Sequence, residues 1–212
     1  VNRNDTVLKA VALNDDANVI LDDMKLSGVD YNTAINALIG SMLKNGYIND
    51  LKNSILISVD NDDAQKRLDL EERLMQEISA ILSDSSVEPA LMAQSVSSDE
   101  QLKNLANQYN ISLGKATLIQ RICAMDSTKT FESLAKLSVN DLYLLADIQD
   151  VEFDDILAQG SPSDSAYITA DEAKSAALTH AKVTADSASF TKTEMDFDDG
   201  VMVYEIEFVS GN

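Results

Sequence analysis

The sequence has little of what catalysis and metal binding use. Its 212 residues include one cysteine, one histidine, two prolines and no tryptophan. A single cysteine excludes an intrachain disulfide and a paired-thiol metal or redox site. Cys123 lies in the apolar run at 118–125 with no histidine near it in sequence, so the pattern predicts a small buried hydrophobe and not a reactive thiolate. A Ser-His-Asp triad would have to use His180, on an alanine-rich helix end and with no serine in a nucleophile-elbow motif, which argues against nucleophilic catalysis. Gly-rich phosphate loops and the HExxH zinc signature are absent too. Asp60-Asn61-Asp62-Asp63 and Asp196-Phe197-Asp198-Asp199-Gly200 gather carboxylates, yet neither keeps the ligand spacing of a calcium loop or its terminal glutamate. They read as a helix start and a turn. The expectation is a protein that is not an enzyme, with no cofactor and no metal.

Cations are scarce as well: 16 Lys and Arg stand against 36 Asp and Glu, a net charge of −20. Such a chain repels phosphate backbones and anionic membrane surfaces, which excludes nucleic acid as a direct partner. No apolar run approaches the roughly 18 residues that span a bilayer. Tyr31, Tyr47, Tyr109, Tyr143 and Tyr167 are dispersed, so no aromatic platform for stacking on sugars is evident.

What is present is a hydrophobic content of 45%, sufficient for real cores in a chain of this length. The charge is uneven. Residues 147–212 carry 15 acidic and 3 basic side chains, a net of −12, which points to a separate C-terminal module. At the other end, residues 6–13 are β-rich and almost uncharged. Val7, Val11 and Leu13 fall on one face of a two-residue period and Leu8, Ala10 and Ala12 on the other, which predicts a central strand buried on both sides. Arg3, Asn4 and Asp5 are turn residues, and Val1 and Asn2 read as the tail of another strand. Natural proteins avoid an apolar ribbon with unpaired backbone. The expectation is a fragment-pairing strand built from Val1, Asn2, Thr6, Val7, Leu8, Val11 and Leu13, with the sheet completed by a segment upstream.

Along the chain, a short helical turn at 16–24 is followed by a helix capped at Asp30 or Asn32, with Ile35, Leu38, Ile39, Met42 and Leu43 as its stripe. A buried strand at 53–59 leads, through the acidic start at 60–63, into a long helix with Leu70, Leu74, Ile78 and Ile81 inside and Leu68, Met75 and Leu82 widening that face. Residues 87–96 read as a further strand, kept to an edge by Pro89. Residues 97–147 are all helical, and Ser138 with Asp141 forms a capping box. The acidic, Ser/Gly/Pro-bearing stretch at 148–166 reads as a linker and the first site of proteolysis. Thr169 with Glu172 caps an alanine-rich helix, and strands at 190–197 and 201–209 flank Asp199-Gly200, a hairpin signal. The fold class expected is α+β: an α/β sandwich at 1–96, a helical module at 97–147, a linker at 148–166 and a helix-plus-hairpin domain at 167–212.

Several segments resemble one family in order. Val1-Asn2-Arg3 with Asp5, Val7 and Ala12-Leu13-Asn14 is similar to the opening of the extracytoplasmic domain of RsgI-type anti-sigma factors of Gram-positive clostridia and bacilli. The likeness continues through residues 47–48, 55–59, 110–122 and 134–142. It implies self-cleavage at an Asn-Pro bond, which would lie just before Val1, and non-covalent retention of the upstream fragment. It also implies an intramembrane protease that later frees a sigma factor from a cytoplasmic domain outside this sequence. The location implied is the extracellular face of a single-pass membrane protein, with a cell-wall or polysaccharide signal. The last segment, with Ile168-Thr169 and Asp171-Glu172-Ala173-Lys174 at one end and the strand 201–208 at the other, resembles a PepSY domain. Two other readings stay open: a secreted PepSY-type protein that inhibits or chaperones a peptidase, and a structural cell-surface adaptor.

Overall fold

The computed structural model describes residues 6–96, 99–149, 151, 153, 155–198 and 200–211. Two helices come first, Asp15–Leu21 (α1) and Tyr31–Lys44 (α2). The strand Ser54–Val59 (β1), the helix Ala64–Ser83 (α3) and the strand Ala90–Ser95 (β2) form a crossover unit. Four helices come next: Glu100–Gln108 (α4), Leu113–Met125 (α5), Phe131–Ala135 (α6) and Val139–Ile148 (α7). The chain ends with the strand Ile156–Gln159 (β3), the helix Ala170–Ala181 (α8) and the hairpin Ala188–Asp198 (β4) and Val201–Ser210 (β5).

β2 is the central strand, parallel to β1 on one side and antiparallel to β3 on the other. Its first five residues are all buried, which a strand covered on both faces requires. Leu91 and Ala93 point into a core with Ile39, Ile57, Val59, Met75, Ile78 and Leu82, built by α2 and α3. Ala90 and Met92 point the other way, against Leu118, Ile119, Ile122, Leu134, Leu142 and Leu145 of α5 to α7. The helical stretch expected as a module of its own is therefore the third layer on the same sheet. Pro89 does not confine β2 to an edge, because it stands just before the first paired residue, Ala90.

The stretch at 148–166 is not a free linker among its described residues. β3 extends the sheet, and polar side chains from the core layers fasten the segment at 160–165. Buried Asn53 donates through Nδ2 to the carbonyls of Glu88 and Ser161, and its Oδ1 accepts from the Ser163 amide, all at 2.8–2.9 Å. Asn140 Nδ2 donates to the Ser163 carbonyl at 2.7 Å, and Ser163 Oγ to that of Asp50 at 2.5 Å. Fully buried Gln94 ties α5 to the sheet. It donates to Ser58 Oγ at 3.1 Å and to the Gly114 carbonyl at 2.7 Å, and it accepts from Arg121, which also pairs with Asp155. A β-carbon on Gly114 would lie 2.2 Å from Ser58 Oγ, so only glycine lets α5 approach β1 this closely.

Local signals hold where the partner is near in sequence. Asp30 and Asp63 cap α2 and α3, and Ser138–Asp141 and Thr169–Glu172 form reciprocal capping boxes. The inner face of α3 is centred on Ile78 and on Met75 and Leu82, residues expected only to widen it. Glu71, Met75, Ile78 and Leu82 are buried, while Leu70, Leu74 and Ile81 are half-buried. Glu71 is tolerated inside because Ser95 Oγ donates to its carboxylate at 2.8 Å. Phe197 of the hairpin enters the core beneath α5 to α7, and Lys129 donates to its carbonyl at 3.0 Å and lies 5.5 Å from its ring.

Two tyrosines make the attachment of 160–167 sensitive to alkali. Tyr143 donates to the Gly160 carbonyl at 3.0 Å and Tyr167 to Asp141 at 2.7 Å. Burial first, then the Asp147 charge, raises the Tyr143 pKa. For Tyr167, burial acts with the hydrogen bond and charge of Asp141. Both phenols keep their protons in the fold above 10.0, where an unfolded tyrosine releases its own. Above that pH the folded state binds more protons than the unfolded state, so stability falls as pH rises. Lys115, whose pKa is lowered by burial, acts in the opposite sense just below 10.5. Denaturant midpoints measured from about pH 9 to about pH 11.5 should decline above about pH 10, and the Tyr143→Phe, Tyr167→Phe double variant should flatten that decline.

Candidate interaction site

The sequence singles out the ribbon at 6–13, and its surroundings define what it can do. Thr6 forms an antiparallel bridge with Asp30. The Val7 amide donates to the Val29 carbonyl at 2.9 Å, and the Gly28 amide donates back to the Val7 carbonyl at 2.8 Å. Ser27 Oγ donates to the Leu8 carbonyl at 3.0 Å. The anchor is thus the loop before α2, where Gly28 takes a left-handed φ of +81°. Sequence reasoning missed this loop, although Ser27-Gly28 marks a turn.

Past Leu8 the ribbon loosens. The backbone at 9–13 has no main-chain partner among the described residues. Asn14 then caps α1 by accepting from the Ala17 amide at 2.8 Å. α1 has no buried residue, and it is tied back by Ser41 Oγ on the Ile20 carbonyl and by Tyr47 on Asp16.

The expected central strand is not formed by this ribbon. Residues 7–13 join no sheet, and they flank neither β1 nor β3. Thr6 and Val7 are half-buried, whereas Leu8, Val11 and Leu13 are 63%, 56% and 70% exposed. Val1 and Asn2 lie outside the described residues. The physical reason is that alternation specifies a strand only where a partner supplies hydrogen bonds and cover. In this chain α2 and α3 fill the neighbouring core without the ribbon. The result is a ribbon with exposed apolar side chains, Leu8 on one face of its period and Val11 and Leu13 on the other, and Val19 of α1 is exposed as well. Large apolar side chains exposed this close together in sequence make the ribbon a candidate contact surface.

Among the described residues no group of three or more His, Cys, Asp or Glu is placed to hold a metal. Cys123 is half-buried, and burial, followed by the Asp126 charge, pushes its thiol pKa up, away from a nucleophile. His180 sits exposed in the last turn of α8.

Residues 1–121, which contain the ribbon, the crossover unit and most of α5, match the sequence model of the anti-sigma factor RsgI-like central domain. The chain belongs to that family. Three relatives from Acetivibrio thermocellus agree: the anti-sigma-I factors RsgI4, RsgI7 and RsgI9, at 30%, 23% and 25% identity over 156, 144 and 151 residues. These matches cover 72%, 67% and 67% of this chain but only 30%, 26% and 21% of the relatives. Each of these matches is longer than the stretch that fits the family model, so the likeness is not confined to residues 1–121. The RsgI-like match takes in β1, α3 and β2, while the layer that covers them and the helix–hairpin unit continue past it. Among the described residues no helix is long and apolar enough to cross a membrane.

Proposed function

We propose that this chain is the extracytoplasmic sensor region of a membrane-anchored RsgI-like anti-sigma factor. The family match supports the class, and the exposed side chains of Leu8, Val11 and Leu13, with a backbone at 9–13 that has no main-chain partner among the described residues, support the mode of action. In this reading an upstream fragment of the same protein, released by self-cleavage at an Asn-Pro bond, adds a strand to the ribbon at 6–13. Main-chain hydrogen bonds and apolar packing hold it there without a covalent bond. Each of the three side chains contributes about 1.5–3 kcal/mol on full burial, so the joint is firm yet separable. Separation exposes the membrane-attached fragment to an intramembrane protease, and a sigma factor leaves the cytoplasmic domain. The protein transforms no substrate. The helix–hairpin unit, which resembles a PepSY domain, stands at the sensing end, toward a cell-wall or polysaccharide signal.

The test uses the full-length protein in cells carrying a sigma-dependent reporter. Val11→Asp places a charge where the joint excludes water, at a cost of several kcal/mol if it stays buried. Reporter output without inducing signal should rise by about tenfold or more, whereas Glu207→Gln on the exposed face of β5 should leave it unchanged. A silent reporter in Val11→Asp cells with normal protein levels would contradict the proposal.

A further inference from the structure

The helix–hairpin unit meets the helical layer along a trough with two compartments. The first, about 570 Å³, lies between α8 and the hairpin and is lined chiefly by Ala173, Ala176, Ala177, Met202 and Ile206. The second, about 480 Å³, lies between the end of α7 and the segment at 161–164, and its lining includes Leu144, Asp147, Ile148, Pro162 and Asp164. Met195 and Tyr204 border both, so the compartments adjoin along this pair. Asp164 is near enough to Tyr204 to add to the upward push that burial gives its phenol.

The two halves differ in chemistry. One is walled mostly by alanines, thioethers and aliphatic carbons, with Tyr167, Tyr204 and His180 beside them, and thioethers adapt to side chains of several shapes. The other presents two carboxylates. Among the described residues no Lys or Arg lines either compartment. Of the lysines in this unit, Lys174 pairs with Asp171 and Lys192 with Glu194 and Glu205, while Lys182 stands at the C-terminal cap of α8. At the mouths stand Ile148 and Ile168, 36% and 54% exposed. A trough that is apolar at one end and carboxylate-lined at the other, inside a region of net charge −12, selects a ligand with the complementary order.

We propose that this trough binds an extended polypeptide segment in which a Lys or Arg lies one or two residues from a bulky aliphatic or aromatic side chain. The apolar side chain fills the compartment under α8, and the cation sits between Asp147 and Asp164. The acidic surface draws such a segment in and repels an anionic polymer or a second copy of this chain. The inference rests on the trough alone and does not depend on the anti-sigma reading.

The test is fluorescence anisotropy with the whole chain and three labelled decapeptides of alternating sequence: Leu–Arg, Leu–Glu and Ser–Arg. The Leu–Arg peptide should bind saturably, the Leu–Glu peptide should not, and the Ser–Arg peptide should bind about tenfold more weakly or worse. Asp147→Asn with Asp164→Asn should weaken Leu–Arg binding about five- to tenfold and flatten its dependence on salt between about 50 and about 300 mM. Ala177→Leu, which fills the apolar compartment without disturbing helix propensity, should weaken it comparably, with circular dichroism confirming the fold of both variants. Equal binding of the Leu–Arg and Leu–Glu peptides would overturn the proposal, as would unchanged Leu–Arg binding in both variants. A concentration-dependent dimer abolished by Ala177→Leu would overturn it too, by placing a second copy in the trough.

Discussion

Replacing Gly160 by alanine should cost about 3 kcal/mol and free β3 from the sheet. Gly160 has φ +77°, and a β-carbon there would lie 2.2 Å from the Pro89 carbonyl oxygen and 3.2 Å from its carbon. The left-handed conformation alone costs an alanine about 1 kcal/mol. The clash adds more, because its partner is backbone at the entry to the central strand and cannot swing aside. Gly28 supplies the control. It has φ +81° with nothing within 4 Å of a built β-carbon, so Gly28→Ala should show the conformational cost only. The difference between the two denaturant midpoints isolates the contact with Pro89, and exchange of the β3 amides that pair with β2 should accelerate in the Gly160 variant alone.

Asn53→Ala should be about as damaging, at about 2–4 kcal/mol, because it leaves three part-buried main-chain groups without their partner at once. The carbonyls of Glu88 and Ser161 lose their donor and the Ser163 amide loses its acceptor. Those groups belong to the start of β2 and to the segment after β3, so the variant should also expose 160–166 to protease. In the wild-type chain that segment should resist cutting. Rapid cleavage of the wild type at 160–166 would show that these hydrogen bonds do not hold it.

How much of the fold was legible in the sequence depends on the distance between partners. Ser138 with Asp141 and Thr169 with Glu172 lie three residues apart, and their capping boxes could be read directly. The pairing of Asp198 with Val201 could be read as well; Asp199 in that turn lies outside the described residues. β3 could not. Its Ser/Gly/Pro flank reads as a linker, and its partner β2 lies far back in the chain, as do Asn53 and its hydrogen bonds. The same holds for Glu71, whose burial depends on Ser95 in the neighbouring strand. The separate modules at 1–96 and 97–147 dissolve for the same reason: Ala90 and Met92 face helices that composition alone assigns elsewhere. The ribbon is the instructive case. Its alternation is real, but Leu8, Val11 and Leu13 are exposed, and no strand among the described residues covers them. A two-residue period reports the capacity to be buried, and the partner decides whether burial occurs.

Strand pairing at the ribbon can be measured on two separate polypeptides. The upstream segment, carrying an affinity tag, and this chain can be produced together, and the amount of this chain recovered with the tag quantified. Leu8 and Val11 are more than half exposed in the chain alone, so Leu8→Asp and Val11→Asp should leave its own thermal midpoint nearly unchanged. Recovery should be near-equimolar for the wild type and lower by about tenfold or more for either variant. Equal recovery of wild type and both variants, with the fold intact, would mean that the ribbon at 6–13 does not hold the fragments together.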